Sequence, residues 1–240
     1  MQPKKIIIVG ASSGIGRELA CIYASRRSMV GITGRRQAKL EEVQSEFPEQ
    51  IITSCFDVTG PTNRDAIQSL INELGGLDLL IYNAGFGEPS DQLEWNLENV
   101  TTKTNVSGFV EIVSYAFNYF FVKGRGQIAV TSSIASLRGS SWAPAYSASK
   151  AFMCNYAEGL NMKARRQKKN IVITALVPGF MDTKPSKGNP RFWVIPMQKA
   201  ARQIVRAIDK KKRKAYISRR WWLVAQVMKM LPFNLYRRIA

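Results

Sequence analysis

Tyr146 and Lys150 stand four residues apart in the run Tyr146-Ser147-Ala148-Ser149-Lys150. On a helix this spacing puts both side chains on one face. A phenol titrates near pH ~10 and is a poor proton donor or acceptor at neutrality. An ammonium beside it stabilises the phenolate and is expected to bring its titration toward pH ~7. The pair would then exchange a proton with a substrate oxygen. Ser133 precedes Tyr146 by thirteen residues, just after the apolar stretch ending at Thr131, and its hydroxyl can hydrogen-bond the same oxygen. The chain contains no histidine. That excludes His triads, His metal sites and an imidazole base. Cys21, Cys55 and Cys154 lack metal-ligand spacing, so no metal is expected.

A second group of residues could hold an anion. Ile6-Ile7-Ile8-Val9 runs into Gly10-Ala11-Ser12-Ser13-Gly14-Ile15-Gly16, and a helical pattern follows from Arg17. A strand that breaks into a glycine turn and then a helix offers free backbone N–H groups and a partial positive charge to a pyrophosphate. The second strand ends Ile32-Thr33-Gly34-Arg35-Arg36. In a dinucleotide-binding sheet the adenosine ribose lies over this end. Gly34 stands where a carboxylate would bind a 2′-hydroxyl, and Arg35 follows with geometry suited to phosphate. NADP(H) is therefore expected in preference to NAD(H). The bland alternative is that Arg35 and Arg36 begin a solvated helix. Asp57-Val58 and Asn83-Ala84-Gly85 follow the third and fourth strands, where a cofactor would lie.

The elements that must position these groups alternate. Short Ile/Val/Leu-rich strands are predicted at 4–9, 28–33, 50–55, 77–81, 126–131, 171–176 and 214–218. Helical patterns fall at 14–26, 36–46, 61–74, 92–122, 145–168 and 196–212. Alternation of this kind predicts a single α/β domain, a doubly wound parallel sheet with helices on both faces. Ligands then sit at the carboxyl ends of the strands. Residues 179–197 carry Pro185, Gly188, Pro190 and Pro196 and would overhang that side as a substrate lid.

With these residues in view the chain resembles the short-chain dehydrogenase/reductase family over residues 4 to about 218. The resemblance rests on the Gly10–Gly16 turn, Asp57, Asn83-Ala84-Gly85, Asn105, Ser133, Tyr146, Lys150, and Pro178-Gly179 with Thr183. It implies a seven-stranded sheet in the order 3-2-1-4-5-6-7 and an NAD(P)-dependent carbonyl reduction or alcohol oxidation. It assigns Asn105, Ser133, Tyr146 and Lys150 to catalysis. Asn105 would hold a water that links Lys150 to solvent, and Lys150 would also bond the nicotinamide ribose. Gly10, Ser12, Ser13, Gly14, Ile15, Gly16, Arg35, Val58, Asn83, Ala84, Gly85, Pro178 and Gly179 would line the cofactor. Asp57 would contact its adenine and Thr183 its carboxamide region. The family spacing selects Ser133 over the adjacent Ser132. Val9 and Tyr82 depart from the residues often found there, threonine and asparagine. That puts loop hydrogen bonding in question, not the reaction.

The net charge of +18 is uneven. Residues 1–160 hold 14 Lys/Arg against 15 Asp/Glu, while residues 161–240 hold 21 against 2. Lys210-Lys211-Lys212-Arg213-Lys214 precedes the last strand, and a basic, aromatic tail at 219–240 follows the 1–218 domain. Arg219, Gln226 and Lys229 fall on one narrow side of a helix that is otherwise apolar, stopped by Pro232. No apolar run is long enough to span a bilayer. The preferred reading is a contact with an anionic membrane, with Trp221 and Trp222 at the headgroup level. A subunit contact is the second reading and nucleic acid the third. Phe180, Met181, Phe192, Trp193, Val194 and Ile195 would roof the site, which favours a lipophilic carbonyl substrate. Alternatively they simply pack the lid.

The favoured expectation is an NADPH-dependent carbonyl reductase, cytoplasmic and peripheral on a membrane. A homodimer would form through the helical regions 92–122 and 145–168, with a tetramer as the alternative. The N-terminus runs straight into the first strand, so no signal peptide is expected, and the few cysteines suit a reducing compartment. The competing expectation is a cofactor-sensing scaffold or adaptor that does no chemistry. The complete Asn105, Ser133, Tyr146, Lys150 set argues against it.

Overall fold

The computed structural model of the chain describes residues 3–181 and 193–238. At its centre lie seven strands: β1 (Lys5–Val9), β2 (Met29–Gly34), β3 (Ile51–Cys55), β4 (Leu79–Tyr82), β5 (Arg125–Thr131), β6 (Asn170–Pro178) and β7 (Lys214–Ile217). They form one parallel sheet in the order β3-β2-β1-β4-β5-β6-β7. The sequence of β1 explains its central place. Ile6 and Ile8 join one apolar layer and Ile7 and Val9 the other, because successive side chains point to opposite faces.

One face is covered by α1 (Gly14–Ser25), α2 (Gln37–Glu46) and α7 (Met197–Asp209). The other is covered by α3 (Asn63–Glu73), α5 (Gly108–Lys123) and α6 (Pro144–Arg166). β1 is flanked by β2 on one side and β4 on the other. The winding therefore reverses at β1, and a crevice opens above the strand ends there.

The helix expected over 92–122 is present over 95–123 but is not uniformly α-helical. It consists of α4 (Trp95–Thr102), a π-type wide turn at Lys103–Ser107, and α5. The wide turn brings Asn105 fully inward. Tyr82 locks it: its buried hydroxyl donates to the Thr104 carbonyl at 2.8 Å. Apolar periodicity does not register one inserted residue, so this local widening is not readable from the sequence.

The tail also differs from expectation. α8 (Arg220–Met230) and α9 (Phe233–Tyr236) fold back onto the domain. Trp221 is only 2% exposed and packs with Ala225, Ile134 and Val177 in a third apolar cluster. Only Trp222 points outward, at 51% exposure, so the expected tryptophan pair at a headgroup level is reduced to one. Arg138 donates to the carbonyls of Met228 and Leu231 at 3.2 and 2.8 Å, capping the end of α8. Its guanidinium stacks 4.6 Å from the Tyr236 ring centre, and the Tyr236 hydroxyl donates to Gly139 O at 2.7 Å. Among the described residues no helix is long and apolar enough to cross a membrane.

Candidate active site

Above β1, β2 and β4 lies a cleft of about 490 Å³, lined by Gly10, Ser12, Ser13, Arg35, Arg36 and Asp57 on one side. Asn83, Ala84, Gly85, Phe86 and Thr104 line the other. Gly10 has φ +83°, a left-handed conformation, and a Cβ there would come within 2.6 Å of Ala84 N. Gly16 lets α1 pass directly against Gly10 O, and a Cβ at that position would overlap the carbonyl. Gly14, with φ +61°, opens the helix. Ser13 is the N-cap of α1 but makes no side-chain cap, so first-turn N–H groups keep their donors for an anion. Ile15 is buried in the core beneath the turn.

Asn83 fixes the turn from below. Its side chain donates to Gly10 O at 3.0 Å, and its backbone N–H donates to Val9 O at 2.9 Å. The departures at Val9 and Tyr82 therefore leave the loop hydrogen-bonded. Val58 is nearly buried, and its carbonyl lies against Gly108, where a side chain would collide.

At the adenosine end the two arginines divide the work differently from the expectation centred on Arg35. Arg36 donates to the hydroxyls of Ser12 and Ser13 at 2.9 and 2.8 Å. Arg35 lies 3.7 Å from the Asp57 carboxylate, whose other oxygen accepts from the Thr59 N–H and hydroxyl, both at 2.9 Å. Gly34 approaches Ser12 so closely that a Cβ would sit 3.2 Å from its Cβ, which leaves little room for a carboxylate side chain. The residues present fit a dinucleotide: a cradle emptied of side chains, a helix N-terminus, and two guanidiniums at the far end. Arg36 is the cleft residue that sequence reasoning passed over. The Arg-Arg doublet was the available signal.

The residues expected to transfer a proton stand at the head of β4 and β5. Tyr146 and Lys150 lie on α6, with Ser133 at the end of β5 capping a short 3₁₀ turn at Ile134–Leu137. Ser133, whose side chain accepts from Ala135 N at 3.2 Å, is the serine that faces the Tyr146 hydroxyl. Lys150 Nζ is buried, 5.7 Å from the Tyr146 ring centre, and donates to Thr131 O at 3.0 Å. Ser132 instead turns inward and donates to Lys150 O at 2.7 Å, so Ser133 is the serine beside the tyrosine. Asn105 clamps the Phe86 backbone: Oδ1 accepts from Phe86 N at 2.9 Å and Nδ2 donates to Phe86 O at 2.7 Å. Nδ2 also donates to Ser149 Oγ at 2.9 Å.

The electrostatics reverse one expectation. Burial pushes the Tyr146 phenol above its usual value, and the Ser133 hydroxyl only partly counters this. The ammonium does not lower it, because Lys150 points toward Thr131 O and Met153 rather than at the hydroxyl. Burial lowers Lys150 itself to about 8, since the charged form loses its water. Two glycines make the packing possible. A Cβ at Gly85 would lie 3.0 Å from Lys150 Nζ, and one at Gly87 would overlap the Tyr146 ring. Gly87 was not singled out from the sequence; its signal was a second glycine two residues after Gly85.

Pro178 ends β6, and Gly179 N–H donates to Ile217 O at 2.7 Å. The Trp221 indole lies flush against Gly179, and Phe180 meets it edge-on at 5.2 Å between ring centres. Met181 and Ile195 form a parallel bridge that joins the two ends of the expected lid. Thr183 and Phe192 lie outside the described residues.

Residues 4–191 match the model of the short chain dehydrogenase family. An uncharacterized oxidoreductase of Myxococcus xanthus is 33% identical over 195 residues, 79% of this chain and 76% of that protein. The hydroxysteroid 11-beta-dehydrogenase 1-like protein of Danio rerio is 28% identical over 85% of this chain and 74% of its own. The solved structure of a 3-ketoacyl-ACP reductase from Sinorhizobium meliloti superposes with a TM-score of 0.78 at 26% identity, covering 89% of this chain and 96% of that one.

Proposed function

The chain belongs to the short-chain dehydrogenase family, an NAD(P)-dependent oxidoreductase acting on CH–OH/C=O groups; from that premise we propose that it reduces the carbonyl of a lipophilic substrate using NADPH. The observation that carries this reading is the placement of Ser133 and Tyr146 beside buried Lys150, at the mouth of a glycine-cradled cleft. The cofactor, when bound, supplies a hydride to the carbonyl carbon. Tyr146 donates its proton to the carbonyl oxygen, and Ser133 hydrogen-bonds that oxygen as charge develops. A buried phenol kept protonated is the state that reduction needs. Lys150, lowered by burial to about 8, is the neighbouring amine that in this reading would restore the phenol, indirectly, since its Nζ faces Thr131 O and not the hydroxyl. Asn105 positions Phe86 and holds the wide turn against α6.

The preference for NADPH is supported by Arg35, Arg36 and the absence of an acid at Gly34. Gly10, Ser12, Ser13, Gly14, Ile15, Gly16, Asp57, Val58, Asn83, Ala84, Gly85, Pro178, Gly179 and Thr183 complete the cofactor contacts in this reading. A lipophilic substrate is favoured by the exposed Phe180 and Trp193 at the lid ends and by the name of the Danio rerio relative. The outward apolar side chains of α8, among basic neighbours, support a peripheral contact with an anionic membrane. Exposed Phe152 and Met162 on α6 and Val122 on α5 support a homodimer through those helices.

The test is NADPH oxidation followed over a panel of lipophilic ketones, with Tyr146→Phe alongside. Turnover should fall by about 10²–10⁴ with NADPH binding retained. Unchanged turnover would remove Tyr146 as the acid.

A further inference from the structure

We propose that the groove between α7 and β7 is a second anion site, which takes the phosphate-bearing headgroup of an anionic membrane lipid. The inference rests on the membrane reading above and extends it to a defined site. The groove encloses about 420 Å³ and is lined by Lys199, Arg206, Lys210, Lys212, Arg219 and Arg220, with no acidic residue among the described lining residues. All six are exposed. Among the described residues none is ion-paired, whereas Lys4 and Arg26 pair with Asp209, Lys39 with Glu42 and Lys123 with Asp78. Six like charges facing one cavity raise its potential, and an anion relieves it. The three arginines add forked donors that match phosphate oxygens.

The neighbouring surface selects a lipid as the source of the phosphate. Arg219 and Arg220 lead into α8, whose outward side chains after Arg220 are apolar except for Lys229. Trp222, Leu223, Val227 and Met230 are exposed, Met230 by 82%. Phe233 and Leu235 extend the patch, and Trp193 and Val194 form the groove's own exposed rim. Cations beside aromatic and aliphatic side chains suit the headgroup boundary of an acidic bilayer. A free phosphate would leave the apolar patch unused. A nucleic-acid backbone would do the same.

The experiment is cosedimentation of the full chain with phosphatidylcholine vesicles, with and without phosphatidylglycerol. Deleting the tail would uncover the core around Trp221, so surface variants are used instead. Wild type should bind only the anionic vesicles. Lys199→Gln/Arg206→Gln/Lys212→Gln should bind them about a hundredfold more weakly, at roughly fivefold per charge. Its NADPH affinity and circular dichroism should match wild type. Soluble inositol hexakisphosphate should displace wild type from the vesicles and leave the residual binding of the triple variant unaffected.

The two ideas fail separately. If the triple variant binds like wild type while Trp222→Ser/Val227→Ser releases the vesicles, the groove proposal falls and the membrane reading stands. If wild type ignores both vesicles, both fall. If wild type instead binds single-stranded RNA or an acidic protein through these lysines, the lipid occupant is wrong.

Discussion

The cleft above β1 and the groove beside β7 both gather arginines, but they are built in opposite ways. In the cleft, charge is the lesser part. Glycines remove side chains from the path of the ligand, Asn83 fixes the turn, and each arginine already has partners: Ser12 and Ser13 for Arg36, Asp57 for Arg35. In the groove, six cations face a space that has no acid and no glycine among its described lining residues. The first arrangement recognises one shape at a fixed position. The second attracts many phosphates and distinguishes them poorly. The candidate proton-transfer group is held by Asn105, which bonds Ser149, and by Gly87, which makes room for the Tyr146 ring.

The contrast can be broken from either end, beginning where the effect should be greatest. Trp221→Ala empties the cluster that joins α8 to β6 and should lower unfolding stability by about 3–5 kcal/mol, read by urea denaturation. A loss below about 1 kcal/mol would mean that the tail is only loosely attached. Gly10→Val forces a left-handed position and drives a side chain toward Ala84; NADPH binding should weaken by more than about a hundredfold while vesicle binding is untouched. Fluorescence titration checks the first and cosedimentation the second. Arg35→Ala and Arg36→Ala should each weaken NADPH by about tenfold and NADH little, and the Arg36 variant should lose more if its bridge to Ser12 and Ser13 lies on the phosphate. Equal losses for both cofactors would place neither arginine there.

The smallest effect concerns Lys150. Folded, it releases its proton near pH 8, whereas the unfolded chain holds it to about the ordinary 10.5. Between these values the unfolded state binds more protons, so stability should rise with pH across that window. Relative to Lys150→Met, wild type should gain on the order of 1–2 kcal/mol from pH ~8 to pH ~9.5 in denaturation curves. A flat difference would show that Lys150 is not desolvated.

Much of this was legible in sequence because it is local or periodic. The glycine turn, the alternating elements and the four-residue spacing of Tyr146 and Lys150 depend on neighbours along the chain, and the sheet order came with the family resemblance. What escaped depends on neighbours across it. Nearly every residue of 221–231 is apolar, so helical spacing alone did not reveal that Trp221 turns inward and Trp222 outward. Arg35 and Arg36 differ by one position, and only the fold sends one to Ser12 and Ser13 and the other to Asp57. The sign of the Tyr146 shift was misread because spacing puts an ammonium near a ring without saying which way it points.

The wide turn at Lys103–Ser107 has a consequence for how this region tolerates change. It amounts to one residue too many in an otherwise regular rod. Each residue turns a helix by about 100°. A single-codon deletion within 103–107 would therefore swing Asn105 or its successors off the Phe86 clamp while keeping the composition almost intact. Deletion scanning should find a short intolerant island here, preceded by outward positions such as Asn96 that accept ordinary replacements.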